Sequence, residues 1–566
     1  MHFNPEKIAQ IFSNQPRNTL IENQQKELSP SVKWQRIRLQ MPKGEDTINL
    51  AFNLLFFKPE HLQIYPAHAA KINVHDSELK HAIAHAYWQT VWASGHLRGN
   101  FGDVEPVAFL PLQRRLKSRE ENELFITEDA GESVYLIGSE ISMLYALQNA
   151  VDAGRVFYTN DGFQVEGDIE LQKWLQERAF VDAFIGNNKI NNGRGCISKI
   201  VPVAGSHRIS KTVATLANQN HTIGYHAAIA FTNAGFFLNF PEEYTSMFAA
   251  MNDPVGLIIE DGEIYQLPLF ERGTILVDEE NHALIRKVSM RDIAIRLPWQ
   301  ENWLVFKRDF YINQADRCED SVVLFTPKYL ADQAEESQRT PTGDIVNLVI
   351  SFGHCVALKP GGGCKIPESG FVLSLPGRAN EKHILQAIKR NGNRLSFRVL
   401  HENFGLAKIK TALSAGPVLV EEDQIITKDF FENPATCEDF LPGVTNARMK
   451  SKGVAPTRFP FDTNTTKAPR TFLALDGDSI VLGVIDGRFT DHSIGASLTD
   501  VAQLCLALGF APALNLDGGG SSVLHLTDLQ KAGPALKPEI KPGIVNIPSD
   551  SGHNDRLMPV SVMVSQ

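Results

Sequence analysis

The residues of this 566-residue chain best suited to chemistry gather where the apolar run Leu514-Asn515-Leu516 ends at Asp517. The chain there enters Gly518-Gly519-Gly520-Ser521-Ser522. Three consecutive glycines let the main chain approach a ligand closely, because no Cβ stands in the way and positive φ is free. Successive N–H groups in such a turn can form an anion-binding concavity, and Asp517 stands at its lip. A second apolar run, residues 480–485, ends in the same manner at Asp486, followed by Gly487 and Arg488. Arg470, Arg488 and Arg556 supply guanidinium forks of the kind that grip phosphate with paired bonds. Most glycosidic hydrolysis uses two carboxyl groups around an oxocarbenium-like state, and cations stabilise a departing phosphate. Acids, cations and a glycine turn together suit a substrate carrying both sugar and phosphate. An Asp before Gly also starts ordinary turns. Oxygen ligands of this kind can hold Ca2+, so Ca2+ is the one cofactor the pattern admits, and none is required.

The elements that must position these groups read as strand, helix, strand. Residues 480–485 form one strand. Ser497 caps a helix whose Val501, Leu504, Cys505 and Leu508 recur at helical spacing before Gly509. Residues 513–516 form the next strand. If the crossover joins neighbouring parallel strands, Asp486 and Asp517 finish on one sheet edge, where open α/β sheets hold ligands. Short apolar runs between Gly, Pro and Asn turns at 226–231, 322–325, 345–350, 370–375 and 417–420 predict further strands. Helices are expected at 76–94, 139–153 and 169–180, after a polar, loosely held arm over residues 1–45. The glycine- and asparagine-rich stretch 186–195 is the candidate boundary. The fold class expected is therefore α/β (mixed α+β), in two domains. A helix-rich N-terminal domain would span 1–195, and a sheet-rich catalytic domain with a β-α-β unit would span 196–566.

Several segments, taken in order, resemble a known family. They are Asn233-Ala234-Gly235-Phe236-Phe237; Asn313 with Arg317; Ile366-Pro367 to Gly370 with Leu373-Ser374; Ala415-Gly416-Pro417-Val418-Leu419-Val420; Pro469-Arg470-Thr471; Asp486-Gly487-Arg488; Gly495-Ala496-Ser497-Leu498; Leu514 to Ser522; and Asn546-Ile547-Pro548-Ser549-Asp550 with Arg556. Together they resemble the phosphodiester glycosidase domain family, from about residue 200 to the end. The resemblance implies a mixed α/β catalytic domain that hydrolyses a sugar joined through its anomeric carbon to a phosphodiester, with N-acetylglucosamine as the family's sugar. It carries over Asp517 and Asp486 as site candidates, and the two-carboxyl chemistry makes them the expected working carboxylates. It places Asn233, Gly235, Arg470, Thr471, Arg488, Gly518, Gly519, Gly520, Ser521, Asn546 and Arg556 in the substrate pocket. Ser521 is expected to bind and not to attack, since no Gly-x-Ser-x-Gly elbow surrounds it. Two rivals stay open: a module that holds a glycosyl-phosphate without cleaving it, and a phosphodiesterase that cuts P–O in place of C–O.

Composition narrows the partners. A net charge of −10 gives no global pull toward nucleic acid, and no apolar run reaches the roughly 20 residues that cross a bilayer. A glycosyl-phosphate or glycan substrate is the expected partner, with oligomeric state open. No apolar h-region follows Met1, and the six cysteines are scattered without a Cys-x-x-Cys pair. A reducing, cytoplasmic-type compartment is expected, although export without a signal would leave the same trace. The segment 359–365 hints at a phosphate loop but lacks the Ser/Thr and helix start one needs, and reads as a hairpin turn.

Overall fold

A computed structural model of the chain describes residues 4–66, 228–237, most of 254–426, 438–439, 465–550 and most of 553–565, with short strand segments between 72 and 169. It is sheet-rich and largely antiparallel, with only four α-helices among the described residues. The expectation of a helix-rich N-terminal domain is overturned. Before residue 195 the described residues form α1 (Pro5–Ser13), a three-stranded meander and short strands. The helices expected at 76–94 and 139–153, nearly all of 169–180, and the stretch 186–195 lie outside the described residues.

The loosely held arm is likewise corrected. Strands β1 (Thr19–Ser29), β2 (Val32–Lys43) and β3 (Asp46–Phe57) pair antiparallel through two tight turns. Period-two alternation builds both faces of β2 and β3. Ile37, Leu39, Met41, Leu50, Phe52 and Leu54 point to one side, and Trp34, Leu55 and Phe57 to the other. β1 lies at the sheet edge and is largely solvated, which gives the region its polar composition.

The meander is one end of an eight-stranded sheet. The rest consists of β4 (Val418–Glu421), β5 (Gln424–Ile425), β6 (Arg470–Asp476), β7 (Ser479–Ile485) and β8 (Ala513–Asn515), in the order β1-β2-β3-β7-β6-β8-β4-β5. One face is covered by α1 and by α2 (Leu498–Leu508), which bury Ile8, Phe12, Val501, Leu504 and Leu508 against Phe52, Phe472 and Val481. α2 starts at the expected cap: Ser497 Oγ accepts the Asp500 N–H at 3.1 Å, and the Asp500 carboxylate accepts the Ser497 N–H at 2.6 Å. It ends at Gly509, in the left-handed region at φ 80°. The opposite face packs against strands Ala228–Asn233, Leu524–Leu526 and Val560–Ser565, through Leu473, Leu482 and Leu514 against Ala230, Leu524 and Val562.

The strand–helix–strand unit exists, but its strands are not neighbours. β6 lies between β7 and β8 and runs antiparallel to both. β7 and β8 are therefore parallel and finish on the same edge, with the start of β6 between them. Residues 359–362 also differ from expectation. They close the strand His354–Gly362, not a hairpin turn. Cys355 and Cys364 are both buried.

Candidate active site

The edge where β7 and β8 end and β6 begins gathers most of the expected residues. Arg470 pairs with Ile485, and the Leu516 N–H reaches the Thr471 carbonyl at 2.9 Å. Arg470 and Thr471 thus stand between Asp486 and Asp517.

Asp517 is held on all sides. Its N–H donates to the Ala234 carbonyl at 3.1 Å, and its carbonyl accepts Asn233 Nδ2 at 2.6 Å. Oδ1 accepts the Gly518 N–H at 2.8 Å. Burial pushes the carboxyl pKa up, opposed in turn by the Ser521 hydroxyl, the Arg556 charge, the Gly518 N–H and the Arg470 charge.

The glycine turn works differently from the sequence expectation. Gly519 N–H donates to the Pro469 carbonyl at 2.9 Å, and the Ser521 and Ser522 N–H groups close a single helical turn onto Gly518 and Gly519 at 3.2 Å each. With Gly518 bonded to Asp517, most of the turn's N–H groups are used inside the protein. Positive charge around the turn comes from side chains. A Cβ on Gly520 would occupy the place of Asp550 Oδ1 and Arg556 Nη2, so the absent side chain is what lets this ion pair lie on the turn. Arg556 grips Asp550 through Nε and Nη2, both at 3.0 Å, and its Nη1 reaches Ser521 Oγ at 3.4 Å. Arg488 is exposed, lies against Gly519, and donates to Ser549 Oγ at 3.1 Å. Arg470 is buried and anchored to the carbonyls of Ala496 and Thr466 at 2.9 and 3.0 Å.

Three expected pocket residues stand behind the turn. Asn233 is fully buried, and its Oδ1 accepts the Thr471 hydroxyl at 2.8 Å. Thr471 Oγ1 also lies 3.1 Å from Ser522 Oγ. Asn546 is fully buried, with Oδ1 accepting the Leu524 N–H at 2.8 Å and Nδ2 donating to the Ser522 carbonyl at 3.2 Å. These side chains brace Asp517 and the turn from inside. Gly235 touches the Ser414 carbonyl, a contact a side chain would block.

Asp486 is fully buried. Its Oδ1 accepts the Ile547 N–H at 3.1 Å, and its Oδ2 lies 2.7 Å from His492 Nε2. Sequence reading missed His492, whose only signal is its place in the loop after Asp486-Gly487-Arg488. It also missed Asp550 as the partner of Arg556. Among the described residues no group of three or more His, Cys, Asp or Glu side chains is placed to hold a metal ion. The neighbours of Asp517 are N–H, O–H and guanidinium donors, which suit an anion and do not fit Ca2+.

An acid at a strand edge, with the charges of Arg470 and Arg556 acting on it and Arg488 beside the glycine turn, makes a cluster suited to an anionic ligand. Residues 359–565 match the family model of the phosphodiester glycosidase domain, so the motif resemblance is borne out over that region. A sequence search of the curated proteins finds no match. Among solved structures, a Burkholderia pseudomallei protein described as exported aligns over 97% of this chain and 96% of its own, at 17% identity and a TM-score of 0.40. A hypothetical protein from Synechocystis aligns over 97% of this chain and 80% of its own, at 13% identity and a TM-score of 0.34. The zebrafish N-acetylglucosamine-1-phosphodiester alpha-N-acetylglucosaminidase catalytic domain, auto-inhibited by its pro-peptide, aligns over 54% of this chain and 87% of its own, at 14% identity and a TM-score of 0.19. No helix among the described residues is long and apolar enough to cross a membrane.

Proposed function

We propose that the chain hydrolyses a sugar-1-phosphodiester at the glycosyl C–O bond, releasing free sugar and a phosphomonoester. The observation that carries this reading is the Asp517 carboxyl within electrostatic reach of Arg470 and Arg556, inside the region matched to the phosphodiester glycosidase family. Water adds to the anomeric carbon and yields one proton to solvent, while the bond to the phosphate oxygen breaks with its electron pair leaving on phosphate. Asp517 serves the anomeric centre, where positive charge develops. Arg556 and Arg488 meet the phosphate, with Ser521 as a hydroxyl ligand. The leaving phosphate needs little protonation near neutral pH, so fixed cations supply much of the stabilisation. Both oxygens of Asp486 are engaged within the protein, so it acts through His492 and does not touch the sugar. Asn233, Thr471 and Asn546 position the turn.

The test is incubation with an aryl- or nucleotide-linked α-N-acetylglucosamine phosphate in oxygen-18 water. Free sugar labelled at its anomeric hydroxyl supports the reading. Label in the phosphate instead would make the protein a phosphodiesterase, and a thermal shift without release would make it a binding module.

A further inference from the structure

Arg36 lies on β2, far in sequence from the family-matched residues 359–565. Strand register nevertheless carries it toward the site. Arg36 pairs with Asn53 on β3, Asn53 pairs with Val484 on β7, and Asp486 follows two residues later. Alternation along the strands puts all four residues on one face of the sheet. That face is otherwise apolar around Trp34, Leu55 and Leu482.

Arg36 is buried, with 6% of its surface exposed, and its Nε sits 3.7 Å from Glu22 Oε2 on β1. Its Nε and Nη2 have no hydrogen-bond partner, nor does Nδ2 of fully buried Asn53, whose Oδ1 accepts Trp34 Nε1 at 3.2 Å. A buried guanidinium with two nitrogens left without hydrogen bonds is costly unless its charge is used. Burial lowers the Arg36 pKa, while Glu22 and then Asp486 act to raise it and Arg38 on the same strand acts against it. The charged groups around this position are thus Glu22 from β1, Arg38 from β2, and Asp486 with its bonded His492 from the end of β7.

We propose that Arg36 is a positioning residue for the Asp486–His492 pair. Its fixed positive charge, buried on the sheet face that also carries Asp486, attracts that carboxylate and opposes a positive charge on the imidazole bonded to it. The N-terminal meander thereby belongs to the site electrostatically, although it supplies no residue that touches the substrate. The inference rests on the proposed reading only in taking the Asp486–His492 pair as serving the site.

The test is the titration of His492 by NMR in the full-length chain carrying carbon-13-labelled histidine, with His492→Gln identifying the resonance. No substrate is added, so this result and the hydrolysis assay fail independently. Removing the Arg36 charge in Arg36→Met raises the His492 pKa by about one pH unit, and Arg36→Lys returns it toward the wild-type value. Glu22→Gln, which removes a negative charge at a part-exposed position, moves it the opposite way and decides the matter alone should Arg36→Met not fold. A His492 titration unchanged in folded Arg36→Met and folded Glu22→Gln overturns the proposal.

Discussion

Asn233 Nδ2 donates to the main-chain carbonyl of Asp517 at 2.6 Å, so the end of one sheet fixes the residue that closes a strand of another. Asn233→Ala leaves that part-buried carbonyl unbonded to an amide and the Thr471 hydroxyl with Ser522 Oγ alone. The expected cost is about 3 kcal/mol of folding stability, read as a lower urea midpoint at unchanged slope. A variant as stable as the wild type would show that the contact is dispensable.

Asp517→Asn keeps the shape of the turn and removes the charge. Turnover of the glycosyl phosphate is expected to fall by roughly 10^3-fold or more. The stability effect has a definite sign. A carboxyl whose folded pKa is raised contributes stability below its unfolded pKa and loses it as pH rises through the folded value. Relative to Asp517→Asn, the wild type therefore loses stability as pH climbs above the ordinary carboxylate range. Thermal melts of both proteins at several pH values check this, and the opposite slope would refute it.

Asp486 and His492 act as a unit. Asp486→Asn and His492→Gln are each expected to lower kcat/KM by about 100-fold. The double variant should lose little more than either single one. Steady-state kinetics on the three variants decide, and losses that multiply would mean separate roles.

Two glycines provide a contrast. A methyl group on Gly520 displaces the Arg556–Asp550 pair, so Gly520→Ala should raise KM about tenfold and cost about 2 kcal/mol. Gly509 has open space but a φ of 80°, so Gly509→Ala should cost about 1 kcal/mol and leave kinetics unchanged. Paired melts and Michaelis–Menten curves separate the effects.

Glu438 is buried, with its carboxylate accepting the Gly273 and Val418 N–H groups at 2.8 and 2.6 Å. Burial outweighs those bonds and the charge of Arg272, pushing the pKa up to about 7 from 4.5. The same burial lowers Arg272 to about 10. The Glu438 contribution is complete below about pH 4.5 and is lost as pH rises through about 7. Wild-type stability should decline by about 3 kcal/mol over that window, and Glu438→Gln should remove the decline. Urea titrations across the window would show the same slope in both proteins if Glu438 were not responsible.

The strand edge was legible because its residues are local. Ser497 and Gly509 announce α2, and apolar runs stopping at Asp486 and Asp517 announce β7 and β8. The strand between them was not legible as a neighbour, because nothing in 470–476 says which strands it will join. The meander was misread because the solvated edge strand β1 hides the alternation of Ile37, Leu39 and Met41 behind a polar composition. His492 and Arg36 were invisible for a related reason. Each becomes significant only through a partner that folding brings near, and a lone His or Arg is more often a solvated side chain. Asn233 and Asn546 were found, but whether an amide faces a ligand or braces a turn depends on contacts made across the fold.

Because β3 pairs with β7 from Phe57–Ile480 to Phe52–Ile485, a strand translated early waits for one translated more than four hundred residues later. Until then its apolar edge stands open, the circumstance in which nascent chains cling to one another or to chaperones. Excising the family-matched segment alone would leave β7 with the same exposed edge, so attempts to shorten this protein should retain its first sixty residues.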